Sequence, residues 1–255
     1  MSPCGRTDEA TKTTTLDRTP KDTADDEESG RYTFLPGRPR WHGRTLLTYA
    51  VSTTATVEYI PLSTVRAVVR TAFARWADVI PMRFVEADRL YNDNDPDITL
   101  GFHPFTGGKC AGCGTSDGYD GAKTLAHSSR PMQGWIHVNT AWRWTVNLDV
   151  DMDPSAYDLE SIVIHEIGHV LGLDHSTSLT SVMYKSFDYR TKKIKLNIYD
   201  VLGIQELYGA TRYFSFKSYF KQELLRHNQR QEEEKRKRSF WRRGLAYILP
   251  SGIAS

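Results

Sequence analysis

The chain has few cysteines, no long apolar run and little net charge. Its 255 residues include three cysteines, and the formal net charge at pH 7 is +2. The apolar stretch at residues 245–249 is too short to span a bilayer, and Pro and Gly follow it too closely for a lipid-anchor signal. No signal peptide is recognisable after Met1. Nucleic-acid binding has no support in the sequence, so the function must be sought in local motifs.

Composition divides the chain into three segments. Residues 1–30 hold eight acidic against four basic side chains and almost nothing apolar, which predicts a disordered acidic segment. Residues 31–210 carry the patterns of one globular domain, long enough for a well-buried core. Residues 211–255 contain eleven Lys or Arg against four Glu. This basic extension is compatible with weak contact to an anionic membrane or polyanion, or with a solvated end.

The most informative motif is H-E-x-x-H-x-x-G-x-x-H. His165 and His169 are four residues apart, so on a helix both rings project from one side and can bind one metal ion. Gly172 can adopt the left-handed conformation that ends a helix, and the returning chain then brings His175 as a third ligand. Three ligands leave one position of zinc open to water, whose pKa the metal lowers. Glu166 can accept the proton of that water, which predicts amide hydrolysis.

The residues around the motif predict a buried helix. Asp158 is a candidate N-cap, and Glu160 would lie in the first turn. The alternative is an ordinary amphipathic helix with surface histidines, but three histidines with Glu and Gly at fixed spacing make it the weaker interpretation. The apolar face of the helix would comprise Leu159, Ile162, Val163, Val170 and Leu171.

With the downstream turn Ser181–Tyr184, which contains Met183, the motif resembles the metzincin signature. Within that clan the sequence is similar to the matrix metalloproteinases, or matrixins, and most of all to the plant type without a hemopexin domain. The resemblance runs from about Thr33 to Gly209. Further matches follow in order at Leu35–Trp41, Ala72–Trp76, Asp97–Phe102, Tyr119–Gly121, Leu125–His127 and Leu202–Gly209.

The resemblance implies an α+β fold, with a twisted five-stranded mixed sheet, three helices and an active-site cleft. The edge strand with Leu125 and Ala126 would pair with a bound peptide, and Met183 would form a hydrophobic floor beneath the zinc. The implied protein is a monomeric, extracellular zinc endopeptidase that acts on extended matrix or cell-wall proteins. The alternative is a zinc-binding pseudoprotease that binds peptides without turnover, but the intact Glu166 argues against it.

The residue patterns agree with this fold. Residues 62–77 have a helical apolar face, and β-like runs follow at Met82–Val85 and Ile98–Phe102. A third helix is predicted near Tyr199–Leu207. The resemblance also implies that Lys185–Arg190 line the pocket behind the zinc, with Lys185 in place of the family's usual proline.

A second, structural zinc is implied by the family, which holds it with an H-G-D triplet and two further histidines. The triplet aligns with Cys113-Gly114-Thr115, so its His and Asp are missing, while His127 and His137 correspond to the two later histidines. Cys110 and Cys113 form a C-x-x-C pair, a spacing that chelates zinc well. A tetrahedral site of these two cysteines and two histidines is one interpretation. A disulfide or two free thiols beside unligated histidines is the other.

Two further family features are altered. The calcium site keeps Asp120, but Asn139 and Trp142 replace its other carboxylates, which puts calcium in doubt and leaves Asp120 equally explained as a turn residue. Cys4 lies in a segment similar to the cysteine switch, in which a thiolate occupies the open position of the zinc. Because Pro3 replaces the family's arginine, Cys4 is either an inhibitory thiol or the remnant of a longer propeptide.

Overall fold

A computed structural model of the chain describes residues 32–87, 95–106, 109–110 and 123–221, together with residues 225, 232, 235 and 236. The chain divides into two units, and the boundary follows Thr211. In the second unit, residues 216–221 are helical. None of the helices in the described residues is long and apolar enough to cross a membrane.

The described residues of the first unit contain three α-helices, as predicted. The predicted bounds of the first helix are confirmed, and the third begins one residue earlier and ends one residue later than predicted. The residues that α1 buries recur at helical spacing, which confirms its apolar face; they are Val65, Val69, Ala72, Phe73 and Trp76. The helices are α1 (Leu62–Ala77), α2 (Leu159–Val170) and α3 (Ile198–Tyr208).

The strands lie before and between these helices in the chain. In chain order the strands are β1 (Thr33–Phe34), β2 (Leu46–Val51), β3 (Arg83–Glu86), β4 (Ile98–His103), β5 (Phe105–Thr106), β6 (Lys109–Cys110), β7 (Ala126–Ser128), β8 (Trp135–Asn139), β9 (Trp144–Thr145), β10 (Tyr157–Asp158) and β11 (Leu173–Asp174). Five of them form the main sheet in the order β3-β2-β4-β8-β7. The first four are mutually parallel, and β7 is antiparallel to β8. The predicted five-stranded mixed sheet is therefore confirmed.

The core lies where α1 and α2 pack against each other and against the sheet. Trp76 of α1 is fully buried, and its indole Nε1 donates a hydrogen bond to the carbonyl of Ile164 at 3.1 Å. Arg75 pairs with Glu160 at 2.7 Å, which links the same two helices at a partly buried position. These contacts fix α2, the helix that carries the H-E-x-x-H motif, against the centre of the domain.

Candidate active site

Three histidine rings converge at the end of α2. One ligand nitrogen from each of His165, His169 and His175 lies within 4.8 Å of the other two. The Nε2 atoms of His165 and His169 are 3.1 Å apart. Within the described ranges, no other group of three His, Cys, Asp or Glu side chains converges in this way. Two unprotonated ring nitrogens this close can both coordinate one metal ion.

The orientation of the first two rings is set by backbone carbonyls. His165 Nδ1 lies 2.8 Å from the carbonyl oxygen of Val182, and His169 Nδ1 lies 2.9 Å from that of Leu173. Each Nδ1–H can donate to its carbonyl, which leaves the Nε2 lone pair directed away from it. This is the tautomer that a histidine needs to bind a metal through Nε2.

Helix α2 ends where the sequence predicted. Gly172 has φ +110°, and a Cβ there would lie 2.3 Å from the carbonyl oxygen of Pro39, so only glycine fits. The last helical carbonyls lack partners within the helix. Trp41 Nε1 donates to the Val170 carbonyl at 2.9 Å, and the Tyr208 hydroxyl donates to the Leu171 carbonyl at 2.7 Å.

The chain after the turn is held by the N-terminal strand. Strand β11 pairs with β1, with Thr33 opposite Asp174. The Thr33 hydroxyl donates to the carbonyl of His175 at 2.7 Å, while the His175 side chain stays exposed. Residues more than 140 positions earlier in the chain therefore help to place the third histidine.

Met183 lies in direct contact with α2. A Cβ on Gly168 would be 2.3 Å from Met183 Sδ, so the glycine leaves the space that the methionine occupies. Ser176 N donates to the Met183 carbonyl at 2.8 Å, which ties this turn to the chain just after His175. The structure thus places Met183 beside the histidines, where the family resemblance expects the methionine turn.

Asp200 stabilises the turn that contains Met183, and the sequence patterns did not identify it. Its carboxylate is buried and accepts hydrogen bonds from the Ser181 hydroxyl and from the amide of Val182 at 3.0 Å. Burial raises the pKa of Asp200, and these hydrogen bonds oppose the rise. The available signal was its place at the third position of α3, where it completes a capping box with Asn197.

Glu166 is buried next to the histidines. Burial raises the pKa of its carboxyl group to about 7, and a hydrogen bond from the Ser128 hydroxyl, 2.7 Å from Oε2, opposes this rise. Ser128 lies on β7, and no motif in the sequence marks it as a site residue. The pair brings a titratable group with a near-neutral pKa to the edge of the histidine cluster.

His165 and His169 are biased toward the neutral form. Burial, followed by the nearby His169 and His175, lowers the pKa of His165 well below its ordinary value. Burial, followed by His175, lowers the pKa of His169 to about 4. Neutral imidazole is the form that binds a metal ion, so these shifts favour metal binding at neutral pH.

The predicted substrate strand lies at one edge of the main sheet. No described strand pairs with the outer side of β7, which begins at Ala126. The carbonyl of Leu125 accepts a hydrogen bond from Asn139 N on the inner side. The outer backbone groups therefore form an open edge of the kind that binds extended peptides.

The histidines predicted for the structural zinc are neighbours on adjacent strands. His127 and His137 are paired residues of β7 and β8, with ring centroids 5.5 Å apart. His103 of β4, which the sequence analysis missed, lies 4.2 Å from the ring of His137. Burial, and then the two other histidines, lowers the pKa of His137 to about 3. Of the two cysteines predicted as zinc ligands, Cys110 is among the described residues, and only its backbone is described.

Three predicted site residues lie outside the described residues, namely Cys4, Cys113 and Asp120. The two residues that replace calcium ligands are described. Asn139 Nδ2 and Trp142 Nε1 both donate to the carbonyl of Thr124, at 2.8 and 3.0 Å. These bonds fasten the chain just before β7 without a carboxylate.

The segment after Met183 places an aromatic ring beside the histidine cluster. The ring of Phe187 lies edge-on to that of His165, with centroids 5.3 Å apart. The ammonium of Lys193 lies 5.2 Å from the centre of the Phe187 ring. Arg190, at the end of the predicted pocket segment, instead binds the carbonyls of Leu148, Asp151 and Asp153.

Comparison with known proteins gives a consistent result. Residues 40–209 match the matrixin family. The chain is 40% identical over 191 residues to metalloendoproteinase 4-MMP of Arabidopsis thaliana, covering 74% of this chain and 53% of that protein. It is also 40% identical over 185 residues to metalloendoproteinase 1-MMP of that plant, covering 71% and 48%. The chain thus spans about half the length of these two relatives.

The likeness extends to animal proteins. The chain is 33% identical over 191 residues to matrix metalloproteinase-20 of Homo sapiens, an alignment that covers 72% of this chain and 35% of that protein. All three alignments cover more than two thirds of this chain, and the family match includes every histidine of the converging cluster.

Proposed function

Because the chain belongs to the matrixin family, we propose that it is a zinc endopeptidase that hydrolyses peptide bonds in extended proteins. The observation that carries the proposal is the convergence of His165, His169 and His175 beside the buried carboxyl group of Glu166. This combination provides three imidazole ligands for a metal and a proton acceptor in one place.

The donor set fits zinc. Three imidazoles are a known catalytic set for this metal, and the carbonyl partners of His165 and His169 favour the required tautomer. When bound, zinc supplies a Lewis acid for the scissile carbonyl and lowers the pKa of a water molecule. Three protein ligands leave the fourth coordination position of zinc open, as a catalytic site requires.

Glu166 is the proposed general base. It accepts a proton from the attacking water and then passes that proton to the amine of the departing peptide. Its pKa of about 7, raised by burial, suits a group that must take up and release a proton near neutral pH. The products are a new carboxylate and a new amine.

The proposed substrate is an extended peptide that adds a strand to β7. The open outer edge of that strand, near Leu125 and Ala126, supports this binding mode. Phe187 provides an apolar surface beside His165 for a substrate side chain. We propose extracellular matrix or cell-wall proteins as the substrate class and extracellular residence of a monomeric enzyme, on the basis of family membership alone.

The secondary sites are also proposals. His127 and His137 would hold a structural zinc together with Cys110 and Cys113. The cross-strand pairing of the two histidines supports this site. We propose that calcium is not required, because side-chain hydrogen bonds already fix the carbonyl of Thr124. Cys4 as an inhibitory thiol and the basic tail as a weak polyanion or membrane contact stay predictions.

The experiment that tests the function is digestion of a broad peptide library by the full chain loaded with zinc. Cleavage, its loss with a zinc chelator and its recovery on adding zinc are expected. The Cys4→Ser variant is assayed in parallel, so that inhibition by this thiol cannot conceal activity. If neither folded protein cleaves any peptide at full zinc loading, the endopeptidase proposal is wrong.

A further inference from the structure

Ser128 of β7 contacts the buried carboxylate of Glu166. Its hydroxyl Oγ lies 2.7 Å from Glu166 Oε2 and 3.2 Å from the backbone carbonyl oxygen of the same residue. A serine hydroxyl has one hydrogen to donate, so the shorter contact with the carboxylate is the stronger of the two. Among the described residues, no second side chain donates a hydrogen bond to this carboxylate.

The position of this hydroxyl is fixed by the strand that carries it. Ser128 pairs with Ile136 of β8, and the next residue, Ser129, exchanges hydrogen bonds with the backbone of Trp135. Because side chains alternate along a strand, Ser128 faces away from the side occupied by His127. Helix α2 packs against β7, so the hydroxyl meets the helix at Glu166.

We propose that Ser128 is a positioning residue for the general base. Its hydroxyl holds Oε2 of Glu166 and fixes the carboxylate plane, which leaves Oε1 to accept the proton of the attacking water. A carboxylate is useful as a base only when it is held within hydrogen-bond reach of the proton that it removes. This inference rests on the proposed endopeptidase function.

A merely structural link between β7 and α2 makes different predictions from a positioning contact. Loss of a structural link would lower stability, zinc content and peptide affinity together. Loss of a positioning contact affects the reaction after the peptide has bound, so kcat falls while KM stays the same. Three variants separate these cases: Ser128→Ala removes the hydroxyl, Ser128→Thr keeps it, and Ser129→Ala removes the acceptor of the Trp135 amide and so loosens β7 without removing a contact to Glu166.

The kinetic experiment uses the full chain loaded with zinc. A hydrogen bond to a charged group affects an equilibrium by roughly 10- to 100-fold. Ser128→Ala should therefore lower kcat about 10- to 100-fold, with KM within about twofold of wild type and zinc content unchanged. Ser128→Thr should recover most of the loss, and Ser129→Ala should lower stability while its kcat falls less than that of Ser128→Ala. Equal losses in Ser128→Ala and Ser129→Ala, or a kcat within about twofold of wild type for Ser128→Ala, would overturn the inference.

A second measurement does not depend on activity. The infrared carboxylate band of Glu166 is identified in zinc-free protein at pH 9 by subtracting the spectrum of Glu166→Gln from that of wild type. Ser128→Ala should shift this band, whereas Ser129→Ala should not. An unshifted band means that the hydrogen bond is absent and overturns the inference. Absence of any hydrolysis by wild type would instead overturn the endopeptidase function, so the two failures are distinguishable.

Discussion

Gly168 and Met183 are in contact across the interface between α2 and the turn that follows it. A Cβ on Gly168 would lie 2.3 Å from Met183 Sδ and 3.1 Å from Trp76 Cζ2. Glycine in a helix interior costs about 1 kcal/mol relative to alanine. The close approach of the methionine explains why a residue unfavourable to the helix lies between the first two histidines.

Gly168→Ala is therefore expected to destabilise the protein in spite of the gain in helix propensity. The added methyl group must displace Met183, and overpacking of this kind costs about 1–3 kcal/mol. Urea denaturation measures the loss. Gly203→Ala in α3 is the comparison, because its Cβ would meet side-chain atoms at 3.0–3.1 Å that need to move by only a few tenths of an ångström, so its loss should be smaller. A Gly168→Ala protein as stable as wild type would show that the contact is unimportant.

Asp200→Asn should loosen the turn that contains Met183. The amide group keeps the shape of the carboxylate, but its NH2 group replaces one of the two oxygens and so faces either the Ser181 hydroxyl or the Val182 amide, both of which donate. Loss of buried charged hydrogen bonds of this kind costs roughly 1.5–3 kcal/mol each. The free energy of unfolding and the zinc affinity should both decrease, and Ser181→Ala, which removes one bond, should show a smaller effect. Unchanged zinc affinity in Asp200→Asn would contradict this role.

In the zinc-free protein, the contribution of His169 to stability should be lost in mild acid. Its pKa falls from the ordinary 6.5 to about 4 in the folded state. Between these two values the unfolded chain binds more protons than the folded one, so the free energy of unfolding decreases as the pH is lowered. Glu166 acts in the opposite direction, since its pKa is raised from 4.5 to about 7.

A variant isolates the histidine contribution. Urea denaturation of chelator-treated wild type and His169→Asn is compared at several pH values between 7.5 and 4, the upper limit lying about one unit above the ordinary histidine pKa. The stability of wild type relative to the variant should decrease steadily as the pH falls through this range. A difference that does not change with pH would mean that His169 titrates normally in the folded protein.

Trp142→Phe should weaken the segment before β7. The substitution keeps an aromatic ring but removes the donor that binds the Thr124 carbonyl at 3.0 Å. A cost of about 1 kcal/mol, typical of one hydrogen bond, should appear as a lower Tm.

Added calcium should leave the Tm of wild type unchanged. A clear rise in Tm with calcium would show that the predicted loss of this site is wrong.

Much of the fold could be predicted because its determinants are local. Apolar residues at helical spacing predicted α1, and the N-cap role of Asp158 is confirmed by its bond from Ser161 N at 2.9 Å. The end of α2 followed from Gly172, whose positive φ is confirmed. The comparisons also confirm the resemblance to matrixins.

The supporting residues could not be predicted because their partners are distant in the chain. Ser128 meets Glu166 across 38 positions, and Thr33 meets His175 across 142. A hydroxyl carries no periodic signal, so nothing in the local pattern distinguishes Ser128 from Ser129. The contact depends on strand register, which only the folded sheet determines.

The most direct test of the account is the activity and metal content of Glu166→Gln. Glutamine preserves the size of the side chain and does not alter the three histidines, so the variant should bind as much zinc at the catalytic site as wild type. Peptide hydrolysis should fall by about 10²- to 10⁴-fold, the usual contribution of a general base. Cleavage at a near-normal rate by zinc-loaded Glu166→Gln would contradict the assignment of the site.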